Sequence, residues 1–193
     1  NREIMEAFKK QLHYYMELIV IVEHISDEMH VLHDQNAFRS SLVHDCIERG
    51  RSLVDGGAVY TADGGPTTGA ITVGDSFAAL EYALFDKKIL TGEQLQHALK
   101  TNFEDENSSP TGEEIRQMLL NKVPKFGNDD DYADKWTVEI NEYLGSTYQK
   151  DFKSSRYGKG PIPANFALSL SSVTGNVAFG KSVGALPDGH KRG

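Results

Sequence analysis

Pro161-Ile162-Pro163-Ala164-Asn165-Phe166-Ala167-Leu168-Ser169-Leu170-Ser171-Ser172-Val173-Thr174-Gly175-Asn176-Val177-Ala178-Phe179-Gly180 runs into Lys181-Ser182-Val183-Gly184-Ala185-Leu186-Pro187-Asp188-Gly189-His190. From Phe166 to Val173 the residues alternate loosely and form the one extended β-like run of the chain. Ser172 and Asn176 are polar residues in an otherwise core-like stretch. The preceding Ser154 to Pro163 is rich in Gly and Pro and reads as loop, with Tyr157 at the lip of the strand. Two further passages stand out upstream. Tyr60-Thr61-Ala62-Asp63-Gly64-Gly65-Pro66-Thr67-Thr68-Gly69 is followed by Gly74-Asp75-Ser76-Phe77-Ala78-Ala79-Leu80, and Lys125-Phe126-Gly127-Asn128-Asp129-Asp130-Asp131-Tyr132 by a helical pattern.

Taken in this order, the three passages resemble glycyl radical enzymes, the superfamily of pyruvate formate-lyase and the diol, choline and hydroxyproline dehydratases. The family pattern Ser-x-x-x-Asn-x-x-aromatic-Gly, then Leu-Pro-Asp-Gly, is matched by Ser172, Asn176, Phe179, Gly180 and Leu186-Pro187-Asp188-Gly189. Two departures stand beside the match. His190 follows the Pro-Asp-Gly where the family has Arg, and no Gly-Cys-x-Glu motif is present. The resemblance implies an α/β fold, with this chain a helix-rich slice of a ten-stranded barrel. It implies a C-terminal-half piece of a longer enzyme, lacking both the catalytic Cys and the radical Gly, so no catalytic residue is expected in this chain. The division expected is a helical pair over 1–56, a Gly-rich loop plus helices over 57–150, and a loop and inner-barrel strand over 151–193.

Composition agrees with part of a globular protein. The 193 residues are 39% hydrophobic, enough to bury a core, and the mean hydropathy is −0.44. A net charge of −8 argues against a nucleic-acid surface. The longest apolar run, Leu18-Ile19-Val20-Ile21-Val22, is far short of the ~20 residues of a membrane span. A single cysteine excludes an internal disulfide framework and fits a reducing, cytoplasmic setting. A first residue other than Met fits a chain cut from something longer.

Helical periodicity predicts one long helix over 3–33, with Phe8, Leu12, Tyr15, Ile19, Val22, Ile25, Met29 and Leu32 as its buried stripe. Phe38, Leu42, Val43, Cys46 and Ile47 predict a second helix that stops at Gly50 or at Gly56-Gly57. Ala58-Val59-Tyr60 is a short strand candidate. Gly74-Asp75-Ser76 is expected to cap a helix that buries Phe77, Leu80, Leu84 and Phe85. Thr91-x-x-Gln94 and Thr111-x-x-Glu114 are capping boxes. The acidic run 129–131 opens a helix reaching about Tyr148.

Candidate chemistry is sparse. Cys46, beside Val43 and Ile47, reads as a buried structural thiol. Asp27 and His30 share a helix face, but other helices supply no matching ligands, so a solvated face is expected and no metal. The Gly-rich loop lacks the Gly-Lys-Ser/Thr of a phosphate loop. Tyr157, Phe166, Ser172, Asn176 and Phe179 either satisfy a bent strand end or, as the resemblance implies, line the substrate cavity. Glu81 either joins them or faces solvent. The resemblance further implies a small-molecule substrate, a homodimeric parent and the rest of the barrel as partner. It also implies a glycyl radical installed by an S-adenosylmethionine-dependent iron–sulfur activase, with no cofactor bound directly. The expected reaction is elimination of water or another leaving group from a small hydroxylated substrate. Decarboxylation of an arylacetate and formate acetyl transfer are the alternatives within the superfamily, and a non-catalytic helical interaction domain is the alternative outside it.

Overall fold

The computed structural model describes residues 1–61, 64, 66–153, 169–170 and 176–192, and helices dominate them. The order is α1 (Arg2–His33), α2 (Ala37–Ser41), α3 (Cys46–Arg49), a 3-10 turn (Leu53–Asp55), β1 (Pro66–Thr67), α4 (Ala70–Leu80), a π turn (Glu81–Asp86), α5 (Gly92–Lys100), α6 (Gly112–Asn121), α7 (Asp131–Lys150), β2 (Ser169–Leu170) and α8 (Asn176–Ser182). The two strands pair with each other and have two residues each. No described helix is long and apolar enough to cross a membrane.

The chain divides into two compact units. The first comprises Asn1–Arg2, Thr67–Glu142 and Leu170–Gly193. Its core is built from α4, α5, α6 and the front of α7, around buried Phe77, Leu95, Phe103, Ile115, Leu119 and Trp136. Phe77 stacks on Trp136 with ring centroids 5.5 Å apart. Complete capping boxes at Thr91–Gln94 and Thr111–Glu114 start α5 and α6 where the sequence puts them. In each, the Thr hydroxyl accepts the N3 amide while the N3 side chain accepts the Thr amide, so two otherwise orphaned donors are satisfied.

The second unit comprises Glu3–Pro66 and Tyr143–Ser169. Met5, Met16 and Val20 of α1 are buried in it, with Cys46, Leu144 and Tyr148. His13 and Tyr148 both pack against the Phe152 ring, at 5.4 and 5.9 Å. The Tyr143 hydroxyl donates to the Lys9 carbonyl at 3.2 Å.

Four expectations are corrected. The long helix forms, but it is turned: Tyr15, Ile19, Val22, Ile25, Met29 and Leu32 are exposed, and the inward side carries Met16 and Val20 with half-buried Glu23, His24 and Asp27. The second helix breaks into α2 and α3 because Asp45 takes a left-handed conformation (φ 71°), which a continuous helix cannot contain. Ala58-Val59-Tyr60 forms bends, not a strand. Gly74-Asp75-Ser76 lies inside α4, which starts at Ala70, and Phe85 of its expected buried face is exposed.

Candidate functional site

At Glu81, α4 runs directly into a π turn, Glu81–Asp86, in which the Lys87 amide donates to the Tyr82 carbonyl five residues back. The widened turn changes which side chains share a face. Glu81, Phe85 and Asp86 come to line one cleft of about 320 Å³, together with Asn1, Arg2, Lys135, Trp136 and Glu139. All of these belong to the first unit.

Charge in this cleft is paired and stacked. Glu81 Oε2 accepts from the Trp136 indole N–H at 3.1 Å and meets Lys135 Nζ at 2.6 Å. Arg2 donates to both oxygens of Glu139 at 2.8 Å and lies over the Trp136 ring. Lys135 lies over the rings of Tyr132 and Trp136, at 4.7 and 5.1 Å. The Tyr132 hydroxyl donates to Asp86 at 2.8 Å. Burial first, then the hydrogen bond to Asp86 and the charge of Glu81, push its phenol far above the ordinary range, so it stays a donor. Such an arrangement can bind and orient a polar molecule. It contains no nucleophile–base pair.

A second cluster joins the three sequence passages. The Phe126 amide donates to Asp75 Oδ1 at 2.8 Å, and Lys125 Nζ donates to the Asp188 carbonyl at 2.9 Å. Asp188 in turn accepts the His190 amide, and Arg116 Nε donates to the Gly189 carbonyl. Burial raises the Asp75 carboxyl pKa and lowers that of the Lys125 ammonium, and their mutual attraction opposes both shifts. Gly189 has φ 98°, and a Cβ there would come within 2.9 Å of the Leu120 side chain. The turn therefore needs glycine on both counts.

Of the residues singled out in the sequence, Glu81 is in the cleft, with its side chain 20% exposed. Asn176 and Phe179 fall in α8, not in an extended run, and Phe179 is exposed. Tyr157, Phe166 and Ser172 lie outside the described residues. Cys46 is free and buried. No described cluster of three His, Cys, Asp or Glu residues could hold a metal ion; His30 instead lies 3.8 Å from Asp34. Arg2, Lys135, Trp136, Glu139 and Asp86 were not foreseen. The one available signal was the lone tryptophan beside a lysine on α7.

These features define a helix-rich scaffold with a charged cleft, in which three distant passages meet at one polar knot. The sequence pattern of the pyruvate formate lyase-like family matches residues 2–180. The chain belongs to this family of glycyl radical enzymes. It is 35% identical to the probable dehydratase YbiW of Escherichia coli K12 over 98% of this chain and 23% of that protein. It is 34% identical to trans-4-hydroxy-L-proline dehydratase of Clostridioides difficile, over 97% of this chain and 22% of that protein. A solved structure concerned with 1,2-propanediol dehydration in Roseburia inulinivorans superimposes with a TM-score of 0.87 at 33% identity, covering 99% of this chain and 23% of that one. The chain thus spans less than a quarter of the length of these relatives.

Proposed function

We propose that the chain is part of a glycyl radical lyase that eliminates water from a small hydroxylated substrate. The observation that carries this reading is the family match over residues 2–180, joined to relatives named as dehydratases. A ten-stranded barrel in the whole protein, a homodimeric assembly and activation by an S-adenosylmethionine-dependent iron–sulfur enzyme belong to the same proposal. The radical supplies hydrogen-atom abstraction through a cysteine thiyl. This chain's share is to hold substrate and keep water out. Tyr157, Phe166, Ser172, Asn176 and Phe179 contribute the wall of the substrate cavity. Glu81 offers a carboxylate oxygen to a substrate hydroxyl while Trp136 and Lys135 hold its other oxygen. The dehydratase reading is preferred over decarboxylation or acetyl transfer because the relatives in the mid-thirties of per cent identity carry dehydratase names.

The test uses the full-length polypeptide with its activase and S-adenosylmethionine. A glycyl doublet in electron paramagnetic resonance is expected from the full polypeptide and not from the 193-residue chain, with loss of water from one of a panel of small diols and hydroxy amino acids. Glu81→Gln is expected to leave the doublet intact and lower kcat/KM by about tenfold or more, the usual cost of a lost polar contact to substrate. A doublet from the short chain, or no elimination from any hydroxylated compound, would refute the proposal.

A further inference from the structure

Helix α8 carries two of the residues proposed above for the cavity wall, Asn176 and Phe179, yet little within this chain holds it. Val177 is 64% exposed and Phe179 53%, and Ala178, Lys181 and Ser182 are exposed as well. A helix of seven residues is too short to persist by its own hydrogen bonds. The Ser182 hydroxyl and the Val183 amide both donate back to the Phe179 carbonyl, within the same turn. Among the described residues, one side-chain hydrogen bond ties α8 to another element: His190 Nε2 lies 3.3 Å from the Gly180 carbonyl. A carbonyl only accepts, so Nε2 is the nitrogen that carries the proton. The Gly180 carbonyl is among the last four of the helix, which find no amide partner inside it. A Cβ built at Gly180 would meet the His190 ring 3.6 Å away, so the imidazole packs directly on the helix end.

His190 stands on the firm side of this contact. Its amide donates to Asp188 Oδ1 at 3.0 Å, and its carbonyl accepts from the Leu186 amide at 3.0 Å. The turn is pinned further by Lys125 at the Asp188 carbonyl, by Arg116 at the Gly189 carbonyl, and by Asn102, whose Oδ1 accepts the Arg192 amide at 2.8 Å. None of these bonds uses the imidazole, so each survives a change of side chain at position 190. We infer that His190 is a positioning residue: its ring clasps the end of α8 to the polar knot and so sets where Asn176 and Phe179 stand in the substrate cavity. The inference rests on the proposed reading of α8 as part of the cavity wall. The residue here is not the Arg of the family pattern, so the clasp belongs to this chain.

The experiment uses the full-length polypeptide with its activase and S-adenosylmethionine, and compares two variants. A Gln side chain can bring its amide nitrogen to the place of His Nε2, whereas Asn reaches only as far as Nδ1. His190→Asn is expected to speed amide hydrogen exchange over 177–183 about tenfold and to leave exchange over α6 and the glycyl doublet unchanged. It is also expected to lower kcat/KM about tenfold on whichever of the small diols and hydroxy amino acids the wild type dehydrates. His190→Gln is expected to stay within about twofold of wild type in both measurements. Unchanged exchange over 177–183 in His190→Asn would overturn the inference, because the ring would not be holding α8. Faster exchange there with unaltered kcat/KM would overturn it too, because α8 would be clasped without positioning anything. Exchange rising equally over α6, or insoluble protein, would refute it by showing a side chain that supports the whole unit. If no compound is dehydrated, the proposed reaction fails, and exchange over 177–183 alone still decides whether the clasp exists.

Discussion

Gly74 lies in the middle of α4, where alanine ordinarily stabilises a helix by about 0.5–1 kcal/mol. Here packing opposes propensity. A Cβ at position 74 would overlap the Thr137 hydroxyl oxygen. Thr137 is 1% exposed, and its hydroxyl has no hydrogen-bond partner among the described residues. Crowding of this kind costs about 1–3 kcal/mol and outweighs the propensity gain. Gly74→Ala is therefore expected to lower the urea midpoint of the full-length protein. Thr137→Ala removes the obstructing oxygen without breaking a hydrogen bond. The double variant is expected to be more stable than the sum of the two single changes by about 1 kcal/mol or more. A stabilising Gly74→Ala, or strict additivity, would show that the two positions do not meet. Nothing in the order of residues marks Gly74 as a packing glycine, because Thr137 lies some sixty positions away.

Elements whose ends are set locally were the most legible. The boxes at Thr91 and Thr111 are closed by side chains three residues away, so α5 and α6 begin where periodicity and capping predict. The loop between them is fastened less visibly. His97 of α5 meets Asp105 at 2.7 Å, and Asp105 also accepts the Asn107 amide at 2.9 Å. The hydrogen bond from His97, then that from Asn107, holds the Asp105 carboxyl below its ordinary value of 3.8. The folded form thus takes up the proton less readily than the unfolded one. Its stabilising contribution is complete above pH 3.8 and is lost as pH falls through the lowered folded value. Wild type is expected to lose more melting temperature than Asp105→Asn between roughly pH 5 and pH 3. A constant gap between the two melting curves across that window would show that the bonds are not coupled to the proton. The carboxylate is solvent-facing, so the effect is small. At the other extreme is α1, whose existence was plain from periodicity but whose orientation was not. Its apolar residues recur on the side that this chain leaves open, and hydrophobic periodicity states which face is apolar without naming what covers it.

Across the whole molecule, the three passages that carried the family resemblance converge on one polar knot. Asp75 of α4, the loop of Lys125 and Phe126, and the turn at Asp188 and Gly189 hold one another through side chain-to-backbone hydrogen bonds. Lys125→Met should release the Asp188 carbonyl and leave the half-buried Asp75 without its nearest cation. A cost of about 1–2 kcal/mol is expected, reduced from the value for a fully buried pair by solvent screening. Limited proteolysis should cut the variant sooner around 186–192. An unchanged cleavage pattern and urea midpoint would mean that the turn is held by the Arg116 bond and the Leu120 packing alone. The sequence by itself determined the family, the long helix, both capping boxes and α7, because motif identity and helix-end chemistry reside in residues close together along the chain. For Glu81 it left two readings open, a place among the cavity residues or a solvent-facing one. Only the tertiary structure decided that Glu81 pairs with Lys135 and Trp136 across a cleft, that Asp45 breaks the second helix, and that α1 turns its apolar side outward. The pairing of Glu81 and the orientation of α1 depend on partners, or on the lack of them, far away along the sequence, whereas the break at Asp45 is a left-handed backbone turn that residue type alone does not dictate. Local propensity carries no record of such partners.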